Sequence, residues 1–267
     1  MSKLQPNPTA NAEHVRAGAS FAGWLGIARS LGLYYGVPFR TRRMTRFYSE
    51  LVTPGSLCFD IGSHAGNRIR CWRRLGARVV ALEPQPAFAR LLRLLYGRDP
   101  NVTLLERAVG REPARARLLV SERAPTVTTL SRGWIEDVRK DPSFRGVRWS
   151  EGDEVELTTL QALIDEYGLP KFVKIDVEGY EAEVLAGVSV PLPALSFEYL
   201  PAARGVALAC VGRLAELGDY SFNWSAGESH RFGACEWLDE DGIRGFVAGL
   251  TERSGSGDIY ARLRREG

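Results

Sequence analysis

Short apolar runs alternate with amphipathic stretches along most of the chain, from residue 56 to the end. The apolar or alternating runs predict strands at 56–61, 77–84, 102–110, 115–122, 153–160, 171–179, 194–200, 220–225 and 257–263. The stretches with helical spacing predict helices near 67–75, 87–97, 160–168, 180–187, 206–218 and 239–250. Strands that alternate with helices of about ten residues are typical of βαβ units. We therefore predict an α/β fold with a doubly wound, mostly parallel sheet.

The first 50 residues and one internal segment depart from this pattern. Residues 1–15 are polar and predict a flexible tail, and residues 16–50 predict a helical arm of one or two helices ahead of a main domain at 51–267. Glycines and a proline break the apolar stretch 17–39, which argues against a membrane span. An interfacial helix beside the basic run RTRRMTR (40–46) is the alternative to a docked arm. Residues 123–152 are expected to be irregular.

Composition narrows the class of protein. Hydrophobic residues make up 45% of the chain and charged residues 25%, which are ordinary values for a globular protein. The net charge of +3 does not call for a nucleic acid or a membrane as partner. The four cysteines form no CxxC pair and the N-terminus lacks an apolar signal sequence. These features favour a cytoplasmic protein with reduced thiols.

The first candidate site is the turn after the first predicted strand, FDIGSHAGN (59–67). Gly62 and Gly66 permit a sharp turn and a close approach of backbone to a ligand. His64, between them, belongs to a residue type that is enriched at positive φ. A helix then begins near Asn67, with its free N–H groups facing the turn. The turn lacks the G-x-G-x-x-G dinucleotide fingerprint, and a plain strand-to-helix turn is the alternative interpretation.

Two acids flank this turn. Asp60 precedes it and would repel a phosphate but suit an ammonium group. Glu83 ends the second strand 23 residues later, where an acid commonly accepts hydrogen bonds from ribose hydroxyls. Pro84 then keeps the chain extended. The two acids predict an adenosine-containing ligand without specifying the cofactor.

Five segments together carry a resemblance to a known family. FDIGSHAGN, VVALEPQPAF (79–88), LLERAVG (104–110), the V-x-x-TTL stretch (155–160) and KFVKIDVEGYEAEVLAG (171–187) resemble the FkbM-type family of S-adenosylmethionine-dependent methyltransferases. The resemblance covers roughly residues 52–200. It implies the class I methyltransferase fold, a Rossmann-like seven-stranded sheet with its last strand antiparallel. It also implies S-adenosylmethionine (SAM) as methyl donor, S-adenosylhomocysteine (SAH) as product, and usually an oxygen as acceptor.

The resemblance assigns roles to the ends of the strands. Asp60 and the Gly62–Gly66 turn would hold the methionine part of SAM, Glu83 the ribose, and Glu106 with Ala108 would lie by the adenine. Asp176 would lie near the sulfonium and the acceptor. The full predicted cofactor set is Asp60, Gly62, Ser63, His64, Gly66, Asn67, Glu83, Pro84, Glu106, Ala108 and Asp176. The family usually has Ala in place of Ser63 and Asn in place of His64, which changes the edge of the cofactor pocket.

An alcohol acceptor needs a base to remove its proton. The predicted catalytic candidates are Asp176, Glu178, Glu198 and His230. Glu198 interrupts a buried strand, where an unpaired charge is costly. Glu178 precedes Gly179, so fixing the turn or capping the next helix is its alternative role. His230 is expected in a loop over the same face, although a lone histidine is often incidental.

Other polar and aromatic residues are given lesser roles. Lys174 lies two residues before Asp176 and is expected to pair with one of the acids. We expect no metal, because the sequence shows no D-x-D-like cluster, although these oxygen ligands would suit magnesium. The arm at 16–50 and residues 123–152 are the expected lid and acceptor surfaces. They carry five aromatic residues that either contact the acceptor or pack the arm on the domain: Trp24, Tyr34, Tyr35, Trp134 and Trp149.

The favoured function is a SAM-dependent O-methyltransferase that acts on a small molecule, a sugar, a glycan or a secondary metabolite. A NAD(P)-dependent Rossmann oxidoreductase is the main alternative. It would share the ribose acid, but the third glycine and a Ser-Tyr-Lys set are missing. A non-catalytic cofactor-binding domain is the other alternative, and the retained acids at the strand ends argue against it. The oligomeric state stays open at this level.

Overall fold

The computed structural model describes residues 40–121 and 124–264. The helices of these residues are α1 (Arg40–Tyr48), α2 (Asn67–Arg74), α3 (Pro86–Tyr96), α4 (Arg132–Val138), α5 (Leu160–Tyr167), α6 (Glu181–Ala186), α7 (Arg204–Leu217) and α8 (Glu240–Ala248). The strands are β1 (Leu57–Ile61), β2 (Arg78–Leu82), β3 (Val102–Leu105), β4 (Ala108–Gly110), β5 (Ala114–Val120), β6 (Ser150–Thr159), β7 (Phe172–Ile175), β8 (Ala194–Tyr199), β9 (Tyr220–Ala226) and β10 (Gly257–Leu263).

The main sheet has seven strands in the order β3-β2-β1-β7-β8-β10-β9. The pairs from β3 to β8 are parallel, whereas β10 is antiparallel to both of its neighbours. Its central strands are almost continuously apolar because both of their faces are covered. On β1, for example, Cys58 belongs to the core on the α1 and α2 side, and Phe59 belongs to the core on the α6 and α7 side. The predicted doubly wound, class I methyltransferase-like sheet is confirmed.

The order in which successive strands are added across the sheet changes direction between β1 and β7. It builds outward from β1 to β2 and β3, and then returns to the other side of β1 with β7 and β8. Ligands of open α/β sheets bind at such a switch point, outside the carboxyl ends of the strands. The turns that follow β1, β2, β7 and β8 therefore line the expected crevice.

A second, three-stranded sheet of order β4-β6-β5 was not predicted. The run 102–110 was expected to be one strand, but it divides at Glu106 and Arg107 into β3 of the main sheet and β4 of the small one. The predicted strand at 115–122 corresponds to β5, which pairs antiparallel with β6. Because strands of either sheet show the same local pattern, the sequence does not reveal which sheet a strand joins.

The segment expected to be irregular, 123–152, is partly ordered. It contains helix α4 and the start of β6, and Ser131 caps α4 by accepting a hydrogen bond from the Trp134 N–H at 3.0 Å. The Trp134 and Trp149 rings lie 6.1 Å apart in an edge-to-face arrangement. They pack on each other and on Phe144, within segment 123–152 itself.

At the N-terminal side, α1 packs on α2 through Met44, Phe47 and Tyr48, which are buried. The predicted tail and the rest of the predicted arm, with Trp24, Tyr34 and Tyr35, lie outside the described residues. No helix among the residues that the structure describes has the length and apolar character needed to cross a membrane. All four cysteines carry free thiols, and Cys235 alone among them is exposed.

Candidate functional site

The turn after β1 is built from left-handed backbone conformations. Gly62, His64 and Gly66 have φ values of 83°, 45° and 77°, so the expectation that histidine can take this conformation is confirmed. The N–H groups of Gly62 and Ser63 both donate to the carbonyl of Leu82 at 3.0 Å. These bonds attach the turn to the end of β2, and α2 starts directly after Gly66.

Gly62 also allows the ends of β1 and β7 to meet. A Cβ atom at this position would lie 1.9 Å from the carbonyl oxygen of Asp176. The Asp176 N–H donates to the carbonyl of Ile61 at 2.9 Å, which holds the two strand ends together. No side chain larger than hydrogen fits here without moving Asp176.

Glu83 is buried behind the turn and fixed by backbone donors. Its Oε2 accepts the His64 N–H at 2.8 Å, and its Oε1 accepts the Gln85 N–H at 2.9 Å. Burial raises the pKa of Glu83, whereas His64 and these hydrogen bonds act in the opposite direction. Each carboxylate oxygen keeps further acceptor capacity. The Glu83 carboxylate is thus oriented in advance for a ligand with hydroxyl donors.

A cavity of about 460 Å³ opens beside this carboxylate, and we call it the Glu83 cavity. Six residues of the predicted cofactor set line it: Gly62, His64, Glu83, Pro84, Ala108 and Asp176. The opposite wall is formed by Leu118 of β5 and by the segment Thr128 to Leu130. The small sheet therefore completes the cavity.

Asp60 lies under the turn rather than on the cavity wall. It is fully buried, and neither of its carboxylate oxygens has a hydrogen-bond partner among the described residues. Burial raises the pKa of Asp60 to about 7, against the opposing effect of Arg68. A buried carboxylate without a donor is costly, so this group is suited to a ligand that brings one.

The other four members of the predicted cofactor set do not line the Glu83 cavity. The Ser63 hydroxyl donates to the backbone oxygen of Asp60 at 2.8 Å, and the Asn67 Oδ1 accepts the Arg68 N–H at 2.9 Å. Gly66 begins α2. Glu106 is partly exposed and forms an ion pair with Arg93 of α3. Apart from Asp60, the members of the predicted cofactor set that do not line the Glu83 cavity are thus Ser63, Gly66, Asn67 and Glu106.

A second cavity of about 560 Å³ adjoins the first, and we call it the Glu198 cavity. His64 and Asp176 line both cavities. Three of the four predicted catalytic residues, Asp176, Glu178 and Glu198, line the second one. The two cavities therefore meet at the carboxyl ends of β1 and β7.

Asp176 is held by two cations. Arg68 Nη2 lies 2.8 Å from Asp176 Oδ2, and Lys174 Nζ lies 3.6 Å from the same oxygen. Lys174 is completely buried and is also 2.6 Å from Oδ1 of Asp258 on β10. Burial opposes the ionisation of Asp176, but Lys174 and Arg68 outweigh it and lower the pKa of this carboxyl to about 2. The expected pairing of Lys174 with the acids is confirmed.

Glu178 and Glu198 have no such cation partner within residues 40–121 and 124–264. The carboxylates of Asp176, Glu178 and Glu198 have oxygens within 4.8 Å of one another. Burial raises the pKa of Glu178 and of Glu198 well above the usual glutamate value, and repulsion among the carboxylates adds to this. Three carboxylates at this spacing also suit a hard divalent cation, so the expected absence of a metal stays a prediction.

His230 occupies a different place from the other catalytic candidates. Its ring packs on Phe47 of α1 with 6.1 Å between ring centres, and Nε2 lies 3.6 Å from Oε2 of Glu228. Burial lowers the pKa of His230 to about 4, so the imidazole is neutral at pH 7. The ring lies behind Glu228, which itself lines the Glu198 cavity.

Sequence reasoning missed several residues of the two cavities. Arg68 lies two positions after Gly66, in the first turn of α2. Its position next to the glycine turn was a usable signal. Asp258 is an acid inside the last apolar strand, as Glu198 is in β8, so the same argument would have found it. Thr126 and Glu228 also line the Glu198 cavity, but they come from loops without a pattern.

The comparison with protein families decides among the classes of protein that share this fold. Residues 60–199, more than half of the chain, match the model of the methyltransferase FkbM domain. The chain belongs to the FkbM methyltransferase family. This FkbM-family chain is accordingly a SAM-dependent methyltransferase, as the residues of the turn after β1 and of β7 suggested. No curated protein sequence matches it significantly.

Solved structures with the same fold are distant in sequence. Precorrin-6y C5,15-methyltransferase from Geobacter metallireducens is 13% identical, with 82% of this chain and 87% of that chain covered and a TM-score of 0.43. A TehB-like SAM-dependent methyltransferase from Corynebacterium glutamicum is 9% identical, with 90% and 96% covered and a TM-score of 0.46. An O-methyltransferase from Bacillus cereus in complex with SAH is 12% identical, with 91% and 89% covered and a TM-score of 0.42.

Proposed function

We propose that this FkbM-family methyltransferase binds SAM in the Glu83 cavity and methylates a hydroxyl oxygen of an acceptor bound in the Glu198 cavity. The acceptor class is a small molecule such as a sugar, a glycan unit or a secondary metabolite. The observation that carries the proposal is the common wall of the two cavities, formed by His64 and Asp176. In-line methyl transfer requires donor and acceptor to be held side by side, and adjoining cavities meet that requirement.

The residues of the Glu83 cavity fit SAM. Gly62 permits the close approach of backbone that the methionine part needs. The unpartnered carboxylate of Asp60, buried under the same turn and outside the cavity wall, is the proposed partner of the ammonium of that part. Glu83 would accept both ribose hydroxyls, and Ala108 would lie beside the adenine. When bound, SAM supplies an electrophilic methyl group on its sulfonium. The task of the protein is then to orient the acceptor and to accept its proton.

Glu178 is the proposed base. Asp176 is a weak base, because Lys174 and Arg68 keep its pKa at about 2. The pKa of Glu178 is raised by burial and by Glu198, and a carboxylate with a higher pKa accepts a proton more readily near neutral pH. Glu178 also shares its turn with Asp176, beside the common wall, whereas Glu198 is one strand further from the Glu83 cavity.

The first test is calorimetric titration of the purified protein with SAH, and with NAD as the comparator. We expect binding of SAH alone. Glu83→Ala should weaken SAH binding by about 10- to 100-fold, since it removes the two proposed bonds to the ribose. Glu183→Ala on the exposed side of α6 is the matched control and should leave SAH affinity unchanged.

Two outcomes would contradict the proposal at different points. Preference for NAD, or no binding of either nucleotide, would reject the assignment of the Glu83 cavity.

The base is tested separately with methyl-labelled SAM and a panel of hydroxylated acceptors. Glu178→Gln should abolish transfer with SAH affinity retained. Transfer to nitrogen or carbon in place of oxygen would reject O-methylation.

A further inference from the structure

The half of the Glu198 cavity that lies away from the cofactor is lined by carboxylates from three elements. Across the sheet, β7 is next to β1, β8 follows, and β10 and β9 are further away. Glu198 belongs to β8, Asp258 belongs to β10, and Glu228 follows β9. An acceptor whose hydroxyl is near Asp176 and Glu178 would therefore extend toward Glu198, Asp258 and Glu228.

The cations of this cavity are already engaged elsewhere. Arg68 lies 2.8 Å from Asp176, and Lys174 lies 2.6 Å from Asp258. No salt bridge joins Glu198 to a cation in the part of the chain that the structure describes. Glu198 is also directly opposite Asp258 in the register of β8 and β10, and like charges in that position repel each other. Among the described residues Glu198 therefore has no cation in contact, and its ionised form would need a counter-ion from a ligand.

His230 gives an independent indication of a ligand with hydrogen-bond donors. Only 8% of its side chain is exposed, and its Nε2 has no hydrogen-bond partner among the described residues. This nitrogen faces Oε2 of Glu228, at 3.6 Å, which is too long for a hydrogen bond. Buried polar atoms normally have partners, and this nitrogen, next to the lining residue Glu228, is without one among the described residues.

We propose that the acceptor carries a protonated amino group beside its hydroxyls, and that Glu198 binds this ammonium with Glu228 and Asp258 around it. The inference rests on the proposed function, because it takes the Glu198 cavity as the acceptor site. An ammonium has three donors and no acceptor, which matches the carboxylates of Glu198, Glu228 and Asp258 on this wall. Charge-assisted hydrogen bonds of this kind are about twice as strong as neutral ones.

The arrangement fits an ammonium better than a divalent ion or an anion. A divalent ion bound among Asp176, Glu178 and Glu198 would lie beside the positive charges of Arg68 and Lys174, which repel it about twice as strongly as a singly charged ammonium at the same distance. An anionic acceptor would be repelled by an ionised Glu198, which has no cation partner among the described residues. A neutral polyol could donate hydrogen bonds, but it would leave the charge of Glu198 without a counter-ion.

The test compares two polyols that differ in one amino group. The SAH-loaded protein is titrated at neutral pH with glucamine and with sorbitol, and binding is followed by ligand-observed NMR. We expect glucamine to bind about tenfold more tightly than sorbitol, because one charge-assisted contact contributes on the order of this factor. The comparison uses the unmodified protein and does not depend on the folding of a variant.

Two variants identify the carboxylates involved. Glu198→Gln should reduce the preference for glucamine to about twofold or less, and Glu228→Gln should reduce it in part, since neutral amides bind an ammonium less strongly. Glu183→Gln, a carboxylate on the exposed side of α6, should retain the full preference. SAH affinity, measured in each variant, shows that the fold and the Glu83 cavity are intact.

Three results would overturn the inference. Equal affinity for glucamine and sorbitol would reject the ammonium, and so would a preference that survives in Glu198→Gln. A titration with MnCl2 that shows a bound ion in the unmodified protein, lost in Glu198→Gln, would assign these carboxylates to a metal instead. If SAH itself fails to bind, the failure belongs to the proposed function and not to this inference.

Discussion

Three non-glycine residues among those described have left-handed backbone conformations, and all three lie at or beside the two cavities. His64 and Glu178 line the Glu198 cavity with φ values of 45° and 53°, and His230, with φ 48°, contacts the lining residue Glu228. Such conformations cost on the order of 1–3 kcal/mol each and tend to occur at functional sites. At the residue scale, the strained backbone positions therefore lie at or beside the cavities where the proposed reaction takes place.

Gly62 provides the sharpest residue-scale prediction. Gly62→Ala should destabilise the protein by at least about 2 kcal/mol, because a side chain at φ 83° is strained and its Cβ would collide with Asp176. SAH binding should fall with it, because the turn and the end of β7 would separate. Chemical denaturation and calorimetry measure the two effects.

Gly133→Ala in α4 is the matched control for this substitution. A Cβ at Gly133 meets no atom within 4 Å. Alanine is favoured over glycine inside a helix by roughly 0.5–1 kcal/mol, so this variant should be as stable as the natural protein or slightly more so. A Gly62→Ala variant with natural stability and full SAH affinity would contradict the assigned role of Gly62.

At the scale of elements, the turn between β7 and α6 depends on a residue outside the predicted site. Glu181 is 2% exposed, and its Oε1 accepts the N–H groups of Val177 at 3.1 Å and Gly179 at 3.2 Å. Trp134 of α4 packs against Gly179, where a Cβ would lie 2.1 Å from the indole ring. These contacts fix the turn that presents Asp176 and Glu178.

Removing the Glu181 carboxylate should loosen this turn. Glu181→Ala removes the acceptor of two part-buried N–H groups, and a buried donor left unpaired costs about 1–3 kcal/mol. We expect lower stability and faster hydrogen exchange at the amides of Val177 and Gly179, as seen by NMR. Glu183→Ala, two residues along the same helix, removes only a partly exposed ion pair with Arg111; it should lower stability by less than about 1 kcal/mol and leave exchange at both amides unchanged. Unchanged exchange at both amides in Glu181→Ala would show that the turn does not need this carboxylate.

At the scale of the whole molecule, buried acids determine how stability depends on pH. Burial raises the pKa of both Asp60 and Glu181 to about 7, so the folded protein binds more protons than the unfolded chain between about pH 4 and pH 7. The free energy of unfolding should therefore fall as pH rises through this range. The pH dependence of stability has the opposite sign for Asp176. Its lowered pKa contributes stability above about pH 4, and this contribution is lost only below that pH.

Denaturation with urea at several pH values checks this prediction. Asp60→Asn and Glu181→Gln each remove one group that titrates, so each should flatten the decline of stability between about pH 4 and pH 7. Glu183→Gln should keep the slope of the natural protein. A natural protein whose stability rises through that range, or variants with unchanged slopes, would show that these carboxyls do not titrate as described.

The sequence by itself determined the main sheet and the first half of the site. Continuous apolar runs identified the strands, because burial on both faces requires an apolar side chain at nearly every position. Positions at strand ends identified Gly62, Glu83 and Asp176, since parallel strands bring their carboxyl ends to one edge. These inferences depend only on local pattern and on a general rule of α/β sheets.

Only the tertiary structure decided how the acids are partnered. Lys174 reaches Asp258 over 84 positions of the chain, and Arg68 of α2 reaches Asp176 at the end of β7. The small sheet takes β4, β5 and β6 out of the main sheet and forms a wall of the Glu83 cavity. Strand order and register bring such distant residues together, and neither leaves a local signature. For that reason the sequence identified the candidate acids, whereas the structure distinguished the ionised Asp176 from the unpaired Glu178 and Glu198.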